Sequence, residues 1–162
     1  MTDPVPLLLL DVDGVLNPFP DTPEGFTEYA FFPEDDEPVR LASFHGNWLG
    51  ELAAVFEIAW ASGWGHDANR LICPLFGLPE FPVISFTAVP FEPRAKVPAV
   101  AAFAGDRPAA WVDDLLTQEA QVWAETRTVP TLLLSVDSAT GLTRDHVDEL
   151  LDWATATRRR RN

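Results

Sequence analysis

Four consecutive leucines, Leu7–Leu10, lead directly into the acidic motif Asp11-Val-Asp13-Gly14. A short apolar run that ends at a turn signal is typical of a strand buried on both faces of a parallel sheet. Side chains alternate along a strand, so Asp11 and Asp13 leave it on one side, and Gly14 permits the tight turn that follows. Open α/β sheets bind ligands at this carboxyl end of their strands, where a shared divalent cation would relieve repulsion between carboxylates. The motif therefore predicts an α/β fold with an acidic site after its first strand.

This motif resembles the first motif of the haloacid dehalogenase-like (HAD) phosphohydrolases, in which Asp-x-Asp-Gly follows a hydrophobic strand. The resemblance implies that Asp11 is the nucleophile and Asp13 the general acid/base. A calcium loop is a competing interpretation, but an EF-hand loop beginning at Asp11 needs glycine at its sixth position and glutamate at its twelfth. Leu16 and Thr22 stand there, which excludes that loop. A purely structural acidic turn remains an open alternative.

Length and charge limit the class of protein. A chain of 162 residues predicts one domain, which we place at residues 1–157, followed by a basic tail at 158–162. The net charge of −14 argues against strong nonspecific binding to nucleic acid. No apolar run approaches the roughly 18 residues of a membrane span, and the first apolar run is expected to be a core strand and not a signal peptide. The single cysteine, Cys73, excludes an internal disulfide and fits a reducing cytoplasm.

The segment 17–45 is rich in proline and aromatic residues and carries an acidic cluster at 34–37. Residues 26–32 and 39–44 could form the two strands of a hairpin. HAD proteins carry a β-hairpin flap or an inserted cap at this place, and the segment is long enough for the flap and too short for a helical cap. The alternative is a surface loop whose aromatic side chains extend the core.

Helical and strand patterns alternate along the rest of the chain. Helices are predicted over 46–56, after a cap at Asp67, from Lys96 to Phe103, around 115–123 and after a cap at Thr143. Strands are predicted at 57–61, 81–87, 108–112 and 131–136. This alternation predicts a three-layer α/β/α sandwich around a parallel sheet with right-handed crossovers. The HAD resemblance implies a Rossmannoid sheet with strand order 5-4-1-2-3.

Three further motifs follow the order of the HAD pattern. Ser62 and Gly63 end the second predicted strand, Lys96 (the single lysine) begins a helix, and Asp113-Asp114 ends the fourth strand. The resemblance implies that Ser62, Gly63 and Lys96 bind the phosphoryl group. It also implies a Mg²⁺ cofactor held by Asp11, Asp13 and Asp114, with Asp113 as a second or alternate ligand; Mg²⁺ prefers such hard oxygen ligands. His66 and Asn69 stand near this crevice, where either a capping role or substrate contact is open.

Together these motifs resemble small capless (C0-type) HAD proteins of high-GC, actinobacterial kind, with sequences such as Asp-Val-Asp-Gly-Val-Leu-Asn-Pro and Trp-Val-Asp-Asp. The resemblance implies Mg²⁺-dependent hydrolysis of a phosphomonoester through an aspartyl-phosphate on Asp11. The resemblance does not identify the substrate; we expect a small-molecule or nucleotide phosphoester, and some capless relatives act on nucleic-acid ends. The alternative is a silent HAD-like module that binds Mg²⁺ and phosphate without turnover and acts through protein interactions. Loss of Asp13 or of the acidic pair would favour that alternative, and both are present.

Overall fold

The computed structural model describes residues 5–86 and 92–161, apart from the side chain of Arg161. Its strands are β1 (Leu7–Leu10), β2 (Thr27–Tyr29), β3 (Val39–Leu41), β4 (Glu57–Trp60), β5 (Ala109–Asp113) and β6 (Thr131–Ser135). Its α-helices are α1 (Ser43–Ala53), α2 (Cys73–Phe76), α3 (Lys96–Ala104), α4 (Gln118–Thr126) and α5 (Arg144–Arg161). A π-helical turn at Ala68–Ile72 leads into α2, and a 3₁₀ turn at Pro93–Ala95 leads into α3. No helix in these described ranges has both the length and the apolar character that crossing a membrane requires.

Strand β1 lies inside a parallel sheet with the order β4-β1-β5-β6. All four leucines of β1 are fully buried, and their alternation supplies both faces of the sheet. Leu8 and Leu10 pack with residues of α1 and α5, whereas Leu7 and Leu9 pack with residues of α3 and α4. The chain is therefore an α/β protein whose parallel sheet is covered by helices on both faces, as the leucine run predicts.

The predicted third strand, 81–87, is reduced to one isolated bridge between Val83 and Trp60. Asn69 explains part of this reduction, because its side chain bonds both the N–H and the carbonyl of Phe81, at 2.9 and 2.8 Å. Pro82 has no N–H to add to the ladder. Thr87 lies outside the described residues. The four observed strands correspond to predicted strands 2, 1, 4 and 5 in that order, and the full five-strand order 5-4-1-2-3 stays a prediction.

Several predicted helix boundaries are wrong. Helix α1 begins and ends three residues before the predicted range 46–56. Asp67 has helical backbone angles and makes no capping bond to a described residue; it pairs with Arg70 instead. Residues 158–161, which were predicted to follow the last helix as a basic tail, form the end of α5, since this helix continues through Arg161. The cap predicted at Thr143 is confirmed, because its hydroxyl accepts from His146 N–H at 3.3 Å.

A hairpin follows β1, as predicted, although its strands are shorter than expected: β2 and β3 pair antiparallel. Arg40 anchors this hairpin to the loop after β1. Its backbone N–H donates to Asn17 Oδ1 at 2.7 Å, and its guanidinium donates to Thr22 Oγ1, the Pro18 carbonyl and Glu37 at 2.8, 3.3 and 3.1 Å. Arg40 is only 6% exposed, so the hairpin and the loop form one bonded unit beside the end of β1. We call residues 17–45 the flap.

Candidate active site

The predicted site residues meet at the carboxyl edge of the parallel sheet. Asp11 follows β1 directly, Asp113 ends β5, and Ser62 comes two residues after β4. Because parallel strands present their carboxyl ends at one edge, three short sequence motifs are brought together. One cavity of about 200 Å³ is lined by all seven predicted residues: Asp11, Asp13, Ser62, Gly63, Lys96, Asp113 and Asp114.

Three carboxylates form a compact acidic group in this cavity. Asp11, Asp113 and Asp114 each offer an oxygen, and these three oxygens lie within 4.8 Å of one another. Asp11 and Asp113 are nearly inaccessible to water, at 5% and 1% exposed. Buried carboxylates this close are stabilised by protonation or by a cation, and an all-oxygen set fits Mg²⁺ better than the softer metals. The donor set therefore fits the cofactor that the HAD resemblance implies.

Lys96 supplies one of the positive charges at the site. Its Nζ lies 2.7 Å from Asp113 Oδ2 and 3.3 Å from Asp11 Oδ1, and it donates to the Ala61 carbonyl at 2.9 Å. Burial acts to lower the pKa of this ammonium, but Asp11 and Asp113 outweigh it and hold the pKa above its ordinary value. Lys96 therefore remains charged at neutral pH and faces Asp11.

One ammonium does not compensate three carboxylates. Burial raises the pKa of Asp11 to about 8; Lys96 opposes this shift, and Asp113 and Asp114 add to it. The pKa of Asp114 is raised to about 6 by burial, by a hydrogen bond with Asp113 and by the negative charge of Asp113. Both raised pKa values reflect an excess of negative charge in a site that water reaches poorly. A divalent cation among these oxygens would favour the ionised carboxylates.

The two members of the acidic pair have different surroundings. Both oxygens of Asp113 accept hydrogen bonds, from Lys96 at 2.7 Å and from the Leu115 N–H at 2.9 Å. The second bond holds a turn after β5, so the next helix begins at Gln118 with Thr117 as its cap and not at Leu115 as predicted. Asp114 instead packs on the turn after β1, where a Cβ on Gly14 would collide with its carboxylate. Gly14 also has φ of +80°, which favours glycine.

Asp13 lies at the open side of the cavity, outside the compact acidic group found among the described residues. Its Oδ1 accepts hydrogen bonds from the Trp64 indole at 3.0 Å and from Asn17 Nδ2 at 2.9 Å. Two donors from different loops therefore fix the orientation of this carboxylate. Asn17 and Trp64 are site residues that the sequence motifs did not predict, although Asn17 follows the first acidic motif closely and Trp64 follows Ser62-Gly63 directly.

Ser62 is buried at 2% exposure, and its Oγ accepts from the Trp64 N–H at 3.2 Å. This bond uses a hydroxyl lone pair and leaves the hydroxyl proton available for donation.

His66 and Asn69, the two neighbouring residues whose roles the sequence left open, have different surroundings. His66 is exposed and lines a different cavity with Ser62 and Gly63. Asn69 has a structural role, because it bonds Phe81 and accepts from the Trp60 indole at 2.8 Å.

A scan of protein-family models finds no match to this sequence, and no curated protein is significantly similar to it. The chemistry of the site must therefore be argued from its residues and their geometry.

Proposed function

We propose that this protein is a Mg²⁺-dependent, HAD-type phosphatase that hydrolyses a phosphomonoester through an aspartyl-phosphate on Asp11. One observation carries the proposal. A strand-end aspartate shares an acidic group with Asp113 and Asp114, lies 3.3 Å from a buried lysine, and lines the same small cavity as Asp13 and Ser62. Nucleophile, acid/base, phosphate donors and cation ligands are all needed for this reaction, and each has a residue of suitable chemistry here.

Asp11 is the nucleophile in this proposal. Its Oδ1 accepts from the Val12 N–H at 2.8 Å and lies near Lys96, so the carboxylate is held in one orientation at the strand end. Attack on phosphorus forms an acyl-phosphate and breaks the bond to the leaving oxygen. Lys96 offsets the charge of the nucleophile and of the phosphoryl oxygens as they approach.

Asp13 is the general acid/base. In the first step it gives a proton to the leaving oxygen, and in the second it takes a proton from the water that hydrolyses the acyl-phosphate. Its bonds to Trp64 and Asn17 hold its carboxylate at the cavity, outside the buried acidic group. Ser62 and the Gly63 backbone supply hydrogen-bond donors for the phosphoryl oxygens.

Asp11, Asp114 and the backbone carbonyl of Asp13 would hold Mg²⁺, with Asp113 acting through Lys96. When bound, Mg²⁺ supplies positive charge that stabilises the oxygens of the transferring phosphoryl group. The assignment of Asp114 as the direct ligand is supported by the surroundings of Asp113, whose two oxygens already accept hydrogen bonds from Lys96 and Leu115.

The test is hydrolysis of a generic aryl phosphate by the wild type and by Asp11→Asn, with and without EDTA. We expect activity in the wild type with Mg²⁺, and loss of it in both the variant and the chelated sample. Asp36→Asn, an exposed flap substitution that does not line the cavity of the acidic group, is the matched control and should retain activity. A folded, Mg²⁺-binding wild type that hydrolyses no phosphoester would favour the silent binding module instead.

A further inference from the structure

A second and larger cavity, of about 540 Å³, opens between the flap and the body of the protein. Asp13 and Phe19 line both this cavity and the smaller one that holds the acidic group. The two cavities therefore meet at the carboxylate that, in the proposed function, protonates the leaving oxygen. A group attached to that oxygen can therefore extend from Asp13 into the larger cavity.

We propose that this larger cavity is the leaving-group site, and that it selects monophosphate esters of planar aromatic alcohols of about nucleoside size that are uncharged or cationic. The inference rests on the proposed function, because that function places the phosphoryl group beside Asp11. It adds the class of substrate, which the chemistry of the acidic group does not determine.

Aromatic walls support a planar ligand. Phe32 of the flap meets Trp64 of the body edge to face, with ring centroids 5.2 Å apart and planes at 75°. Phe19 also lines the cavity and is 43% exposed, although an aromatic ring of that size is more stable when covered. Flat rings bind on such surfaces by stacking, and small alkyl groups do not.

The size of the larger cavity also favours a ring system as the leaving group. A volume of about 540 Å³ lies within the range of small-molecule sites, whereas the inner cavity of about 200 Å³ suits a phosphoryl group and its cation. A leaving group of one or two carbons would leave most of the larger cavity to water. A ring system the size of a nucleoside would displace that water from the aromatic walls.

Charge excludes further phosphates on the leaving group. Asp35 and Glu37 line the cavity, and Arg40 is the one basic residue among its described lining residues. The Arg40 guanidinium is already engaged with Glu37, Thr22 and the Pro18 carbonyl, and it is buried. Arg40 offsets the charge of Glu37, so a diphosphate or an acidic alcohol would meet the negative charge of Asp35, whereas an amine would be attracted to it.

The test compares benzyl phosphate with n-propyl phosphate, whose alcohols have similar basicity and differ in the flat ring. We expect the wild type to prefer the benzyl ester in kcat/KM. Phe32→Ala should lower kcat/KM for the benzyl ester about tenfold and leave the propyl ester nearly unchanged, as loss of one stacking partner implies. Phe31→Ala is the matched control, because Phe31 stacks on Tyr29 at 5.1 Å and does not line the cavity.

The charge preference has its own pair of variants. Asp35→Asn should raise kcat/KM for 4-carboxybenzyl phosphate about threefold relative to 4-aminomethylbenzyl phosphate, by removing one repulsive charge. Asp36→Asn removes a charge of the same flap cluster outside the cavity and should change this ratio less. Equal effects of the two substitutions would contradict a local role for Asp35.

The outcomes separate the two proposals. No turnover of the aryl phosphate or of either ester by the folded wild type would overturn the proposed function, and calorimetric binding of the two esters would then decide the leaving-group preference. Turnover without preference for the benzyl ester, or equal losses for both esters in Phe32→Ala, would overturn this inference and leave the phosphatase intact. If Phe32→Ala does not fold, Phe32→Leu keeps the bulk without the flat face and should reduce only the benzyl rate.

Discussion

Asp113 holds Lys96 in place: its Oδ2 lies 2.7 Å from the lysine Nζ, and both side chains are almost completely buried. The other oxygen of Asp113 accepts from the Leu115 N–H. Both carboxylate oxygens of Asp113 therefore accept hydrogen bonds from the protein, whereas Asp114 lies against the turn at Gly14. This difference separates the roles of two adjacent acids, and four predictions follow from it and from other buried groups.

Asp114→Asn and Asp113→Asn should have different effects on Mg²⁺ binding. Losing a direct ligand should weaken Mg²⁺ binding by more than about a hundredfold, and losing a residue that acts through Lys96 by about tenfold or less. Isothermal titration of each variant with Mg²⁺ measures both values, with Asp36→Asn as control. Equal weakening, or the reverse order, would contradict the assignment of Asp114 as the direct ligand.

Lys96→Met should destabilise the metal-free protein by about 3 kcal/mol, because Asp11 and Asp113 would stay buried without their cation. Urea unfolding in EDTA measures the free energy of unfolding. In the double variant with Asp113→Asn the loss should be smaller than the sum of the two single losses, by about 1 kcal/mol or more. Additive losses would show that the 2.7 Å contact contributes nothing specific.

Gly14→Ala should reduce both stability and Mg²⁺ affinity. The new Cβ would collide with Asp114, and the position has φ of +80°; together we expect a loss of at least about 2 kcal/mol. Gly65→Ala is the control, since Gly65 also has positive φ, at 56°, but a Cβ there meets no described atom within 4 Å. The control should lose about 1 kcal/mol from strain alone and bind Mg²⁺ normally. Normal Mg²⁺ binding by Gly14→Ala would contradict the close packing of Asp114.

Stability should depend on pH through His45. Burial lowers the pKa of His45 to about 4, opposed by its bond to the Leu142 carbonyl. The unfolded chain takes up a proton below about 6.5 and the folded protein only below about 4, so stability is full above 6.5 and is lost as pH falls. We expect a loss of up to about 3 kcal/mol relative to His45→Gln, which keeps a donor for Leu142 and does not titrate. Parallel pH profiles of the two proteins in urea unfolding would rule out this role.

Local sequence patterns predicted the sheet and the acidic group well. A continuous apolar run places apolar side chains on both faces of a strand, and the leucines of β1 are buried on both faces of the sheet. Asp11 follows them at the end of the strand. The partners of Asp13 could not be predicted in the same way. Trp64 is 51 positions from Asp13 along the chain, and its contact depends on how the loop after β4 meets the loop after β1.

Competition for backbone groups explains two of the errors in the predicted elements. Asn69 takes the N–H and carbonyl of Phe81, which the predicted third strand needed. Asp113 takes the Leu115 N–H and delays the start of α4. Periodicity reports which side chains are apolar, but it carries no information about a side chain that replaces a backbone partner. For the same reason the sequence could not separate Asp113 from Asp114.

The phosphoryl-enzyme itself tests the central claim most directly. The wild type and Asp11→Asn are mixed with an aryl phosphate and Mg²⁺, quenched in acid within the first turnover, digested and analysed by mass spectrometry. We expect the added mass of one phosphoryl group on the wild-type peptide that contains Asp11, at that residue, and none in Asp11→Asn. Turnover by the wild type with the phosphoryl group on another residue, or unchanged labelling in Asp11→Asn, would contradict it.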